Sequence, residues 1–200
     1  MGSGYLINPL MLIINTIFDL YILLVLLRFL LQMLRADFYN PVSQFIVKLT
    51  TPPLKILRRF IPSVAGQDTS SIVLCLALIF AKFMLMRALS IPAVHIGGVT
   101  APLDVSYGGL LIFCIADLIA LVLTVFLVAV IIKVILSWVN PGHYNPVIGL
   151  VDRIASPVLR PVQKIVPPLG GLDLSPLFAT LLLLVAKMLI VPPIVFLGNF

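Results

Sequence analysis

Six ionisable side chains stand inside stretches that are otherwise almost pure hydrocarbon: Asp19, Arg28, Lys82, Asp117, Lys133 and Lys187. Ionised groups are costly in lipid. By default they face a bundle interior or a water-filled cavity, where they pair with one another, relay protons or meet a ligand. Four cations and two carboxylates leave a net charge of +2 in these stretches. Rings of Lys and Arg suit anions rather than potassium. At 100° per residue, Arg28, Gln32 and Arg35 share one helix face, and Lys133, Ser137 and Asn140 form the matching stripe. Asp19 falls on the opposite side of its helix from Arg28. Counting 1.5 Å per residue puts Arg28 and Lys133 about 10 Å deep, Lys82 and Lys187 about 18 Å, and Asp19 about 24 Å. A long Lys side chain covers that last gap. Asp19 is therefore the expected counter-ion of Lys82 or Lys187. Such a core can fix helix register, form a transport path, or bind a lipid head group or a cofactor propionate.

Signatures of other chemistry are absent from the sequence. It contains no Glu, no Walker A loop, no HExxH, no GxSxG and no His pair at ligand spacing. Cys75 and Cys114 lie inside apolar runs and read as small buried hydrophobes. No catalytic residue, metal site or cofactor is expected, and the chain does not read as an enzyme.

The elements that must position these groups are membrane spans. Hydrophobic residues make up 62% of the chain and charged residues 10%, and the mean hydropathy is +1.23. A soluble domain cannot hide that much apolar surface, whereas lipid solvates it. Four runs are long enough to cross a bilayer: about Leu10 to Leu34, Ser70 to Ala93, Gly109 to Val139, and Ser175 to Leu197. They are continuously apolar rather than alternating, which argues for helices.

The chain is also duplicated. "NPVSQFIVKLTTPPLKILRRFIP" starts at Asn40 and "NPVIGLVDRIASPVLRPVQKIVP" at Asn145, an offset of 105 residues (145 − 40). The offset holds from the preceding span to the following one, so Asp68, Ser70 and Lys82 recur as Asp173, Ser175 and Lys187. Thr124 stands at the register position of Asp19. The units are residues 1–95 and 109–200, with an external linker at 96–108. Two spans per unit is an even number, so both units share one orientation, related by an axis along the membrane normal. Lys and Arg concentrate in the two repeat loops, which the positive-inside rule places in the cytoplasm with both termini outside. The predicted fold is an all-α membrane protein of four transmembrane helices in two parallel repeats, each with interfacial amphipathic helices in its cytoplasmic loop.

Each loop reads as two short amphipathic helices. Asn40-Pro41 and Asn145-Pro146 supply an N-cap and a first-turn proline. Thr51-Pro52 and Ser156-Pro157 are expected to restart a second helix, which Pro62 and Pro167 end. Ser70 and Ser175 then cap the next spans. Lys48, Lys55, Arg58, Arg59, Arg153, Arg160 and Lys164 on these loops would meet anionic lipid phosphates or an acidic protein partner. Membrane lipids, a membrane protein complex or a second copy are the partners that suit such a chain, and nucleic acid is not expected.

The paired "ADFYNP"/"PGHYNP" turns, with "TTPPLKILRRFIP"/"ASPVLRPVQKIVP", resemble the YggT family of small bacterial membrane proteins and its plastid and cyanobacterial YlmG relatives. Asn40, Pro41, Pro52, Arg59 and Pro62 match the family pattern, as do Asn145, Pro146, Pro157, Lys164 and Pro167. The second copy departs from the first with Gln163 and Lys164 in place of Arg58 and Arg59. The resemblance implies an inner-membrane protein with a role in osmotic-stress tolerance and ion homeostasis. It also implies, as the alternative, a scaffold for cell-division or cytochrome-maturation partners.

Overall fold

The computed structural model describes residues 3–62, 67–139, 146–166 and 173–200. The elements are α1 (Ser3–Met33), α2 (Pro41–Leu57), α3 (Thr69–Ala88), strands β1 (Ala93–Ile96) and β2 (Val99–Pro102), α4 (Tyr107–Val139), α5 (Pro146–Ile165) and α6 (Ser175–Leu197). Helices α1, α3, α4 and α6 contain the four apolar spans. Their exposed faces carry Leu12, Ile13, Ile17, Met188 and Leu189, side chains that hydrocarbon rather than water must solvate.

Packing repeats with the sequence. Helix α1 lies against α3 as α4 lies against α6, and α2 and α5 lie against the spans of their own units. The units meet chiefly where α3 packs on α4. A second tie joins the amphipathic helices. The Asn40 side chain accepts from its own Val42 N–H at 2.9 Å and donates to the Pro146 carbonyl of the other unit at 2.6 Å.

Three local expectations change. First, among the described residues each repeat loop holds one amphipathic helix, not two, because α2 runs through Pro52 and Pro53, and α5 through Pro157 and Pro161. A proline inside a helix strips the carbonyl four residues earlier of its donor, and here side chains cover part of the loss. The Tyr21 hydroxyl donates to the Leu49 carbonyl at 3.4 Å, the acceptor that Pro53 cannot serve. The Thr51 hydroxyl turns back onto Val47 and the Ser156 hydroxyl onto Asp152, rather than capping a new helix.

Second, Ser70 and Ser175 are not N-caps. Ser70 donates to the Ile61 carbonyl, and Asp173 Oδ1 accepts from Ser175 N–H at 2.9 Å.

Third, α3 ends at Ala88, not Ala93, because a β-hairpin follows. It pairs Ala93 with Pro102 and Ile96 with Val99 around Gly97 and Gly98. Both glycines have positive φ, +60° and +100°, as a two-residue type I′ turn requires. The hairpin crosses the boundary drawn after residue 95. It is packed into the bundle: Ile96, Ala101 and Leu103 are buried, and the backbone at Gly97 comes so close to Val191 and Ala120 that a side chain there would meet both.

Candidate functional site

Three helices converge on one ammonium. Lys82, on α3, donates to Asp19 of α1 at 2.8 Å and to Asp117 of α4 at 2.9 Å. The Lys82 side chain is 7% exposed, whereas that of Asp19 is 53% exposed, so the cluster is sealed on the α3 side and open on the α1 side. In the second unit, Lys187 of α6 donates to the Thr124 hydroxyl of α4 at 3.0 Å. Both contacts, Lys82–Asp19 and Lys187–Thr124, span 63 residues. The fold thus repeats the pair in register, and the second copy has a neutral hydroxyl where the first has a carboxylate.

These groups border a cavity of about 310 Å³, lined also by Asn15, Val94, His95 and Gly97. The hairpin supplies part of its wall. His95 Nδ1 lies 3.2 Å from the Thr100 hydroxyl across the two strands. Sequence reasoning missed His95 and Gly97 as lining residues. The signal was present: Gly97-Gly98 between short alternating runs is a hairpin signature.

The other two intramembrane cations point elsewhere. Arg28 Nη1 donates to the Val47 carbonyl and to the hydroxyls of Thr50 and Thr51, at 3.2, 2.9 and 3.0 Å. It therefore clamps α2 to α1. Lys133 meets Asp152 at 3.1 Å and clamps α5 to α4. Asp152 is the register partner of Val47, so a carboxylate takes the place of a carbonyl. The +2 excess is consequently not an excess at the centre. The cavity holds two ammoniums and two carboxylates, which removes the electrostatic basis for an anion path there.

The loop cations divide. Lys48, Lys55, Arg59, Arg153, Arg160 and Lys164 are exposed. Arg58 is engaged within the chain, its guanidinium donating to both oxygens of Asp68. In the second unit Gln163 donates to Asp173 at 3.1 Å. The Arg58-to-Gln163 difference therefore preserves a tie between the amphipathic helix and the start of the next span. Of the residues singled out from the sequence, Asn140, Asn145 and Pro167 lie outside the described residues.

Asp68 makes that tie pH-sensitive. Burial alone would push its carboxyl up, but hydrogen bonds from Arg58 and Ser71 and the charges of Arg58 and Arg28 outweigh burial and hold it below its ordinary 3.8. A carboxyl lowered on folding contributes stability above its unfolded pKa and loses it as pH falls through the folded value. Thermal unfolding in micelles should therefore show a melting temperature that drops as pH falls below about 4. Asp68→Asn should flatten that acid limb and lower the neutral-pH plateau. An unchanged acid limb would show that the Arg58 contact contributes nothing.

Comparison with known proteins agrees with this duplicated layout. The CCB3/YggT family model matches twice, over residues 7–89 and 112–194. An uncharacterized protein of Pseudomonas aeruginosa is 48% identical over 179 residues, covering 90% of this chain and 86% of that protein. The uncharacterized protein YggT of Escherichia coli K12 is 34% identical over 183 residues, covering 90% and 88%. The uncharacterized protein ycf19 of Guillardia theta is 37% identical over 62 residues, 30% of this chain and 68% of that protein. No solved structure matches.

Proposed function

The chain belongs to the CCB3/YggT family, and we propose that it serves osmotic and ionic homeostasis in a bacterial inner membrane, without catalysis, by holding an exchangeable proton or small cation at the Asp19–Lys82–Asp117 cluster. The observation that carries this reading is the convergence of two carboxylates from separate spans on one sealed ammonium beside a cavity. Asp–Lys clusters inside a membrane are costly and recur where ions or protons are handled. A cation arriving at Asp19 competes with the Lys82 ammonium for the same oxygens, so loading it drives the Lys82 proton off to solvent and leaves the charge of the cavity balanced. The route is one of binding and exchange rather than an open pore. Towards α2 and α5 the cavity gives way to a groove lined by aliphatic side chains apart from Thr124, which offers a hydrated ion no replacement for its water.

Purified protein in proteoliposomes is expected to couple an imposed cation gradient to proton movement, and Asp19→Asn is expected to abolish it. Asp19 is half exposed, so this variant should fold. Liposomes that stay silent with wild-type protein, or cells whose osmotic tolerance survives Asp19→Asn, would sink the reading.

A second reading has its own support. The exposed cations of α2 and α5 share those helices with exposed Phe45, Ile56 and Ile165, a surface suited to anionic lipid or to an acidic assembly partner. On that reading, Lys55→Gln with Arg59→Gln abolishes function while Asp19→Asn leaves it intact.

A further inference from the structure

The groove below the cavity has a shape and a chemistry of its own. It measures about 340 Å³ and is lined by α1 and α4, with further side chains from α2 and α5. Its lining repeats under the 105-residue offset: Leu23, Leu27 and Val42 line it, and so do their register partners Val128, Ile132 and Val147. Thr124 and Leu121 line both groove and cavity, so the two volumes meet there. Lys187 stands at the junction, bonded to Thr124. An ammonium carries three donors, and that bond uses one. The Thr124 hydroxyl itself donates to the Ala120 carbonyl at 2.7 Å.

Two facing apolar walls offer dispersion contacts that a hydrocarbon tail can make along its whole length. One slot takes one tail. The head would sit among two ammoniums and two carboxylates that already balance, where an added charge is penalised by the low dielectric. A neutral head with carbonyl acceptors keeps the balance and satisfies the remaining Lys187 donors. We infer that the cavity and groove together bind a neutral, single-tailed lipid with a carbonyl-bearing head, of the isoprenoid-quinone chemical type: head on Lys187, tail between α1 and α4. This goes beyond ion exchange: the head shares the cavity with the Asp19–Lys82–Asp117 cluster, but Lys187 and the groove hold it.

The test uses decylubiquinone as probe and purified full-length protein in micelles, with ligand retention measured through size exclusion against empty micelles. Wild-type protein should retain the probe. Lys187→Met, which removes the donors, and Val128→Trp, which fills the groove at an exposed rim position, should each weaken retention about tenfold, the effect of losing one good contact. Melting temperatures of both variants establish that they remain folded. Retention no better than empty micelles, laurate held more tightly than decylubiquinone, or undiminished retention by folded Val128→Trp would overturn the assignment. Each of these outcomes is independent of the Asp19→Asn flux result.

Discussion

Lys82→Met is expected to cost the fold about 3 kcal/mol, the low end of the penalty for breaking a buried ion pair. The variant keeps the stem volume and removes the charge, leaving Asp19 and Asp117 facing each other without the cation that separates them. The lower figure applies because Asp19 is half exposed and water can partly solvate it, whereas Asp117 is mostly enclosed. Unfolding in micelles would measure the loss. The double variant Lys82→Met with Asp117→Asn should recover much of it, since the second change removes the orphaned charge. A Lys82→Met protein as stable as wild type, or a double variant less stable than either single, would show that the cluster does not join the three helices.

Gly109→Ala should destabilise by about 2 kcal/mol, within the range for forcing extra atoms into a close-packed contact. At the hairpin end, α4 and the end of α6 touch backbone to backbone. A Cβ at Gly109 would overlap the Gly198 carbonyl oxygen, and one at Gly198 would fall 2.5 Å from the Phe113 ring. Backbone cannot move aside as a side chain can. Small residues let membrane helices approach this closely and gain the dispersion contacts that hold them. Gly149 provides the opposite case: it is helical and exposed, and nothing lies within 4 Å of an added Cβ. Gly149→Ala should stabilise by about 0.5–1 kcal/mol through helix propensity. Melting curves of the two variants, one shifted down and the other up, would check both statements. A neutral Gly109→Ala would mean that α4 and α6 are not locked at that end.

Spans, duplication and family were legible in the residues because each is a property of the chain read in order. Hydrocarbon must solvate an uninterrupted apolar run wherever it packs, and a 105-residue offset is arithmetic. The register pairing of Asp19 with Thr124 was equally readable, and with it the difference between the two units. What the chain order could not reveal was the use of each charge. Arg28 and Lys133 sit in apolar runs just as Lys82 does, and helical phase gave them a face. Only packing decided that this face meets the hydroxyls of α2 and the carboxylate of α5 rather than the central cavity. Asp117 reached Lys82 because α3 packs on α4, a contact between repeats that no within-repeat periodicity encodes. Local rules count the missing N–H and read the prolines of α2 and α5 as helix breaks. The fold overruled them by bringing Tyr21 to one of the stranded carbonyls. Composition thus determined the solvent and the repeat determined the plan, since both act through sequence-local free energies. The site itself depends on which helices touch, and that choice belongs to long-range packing.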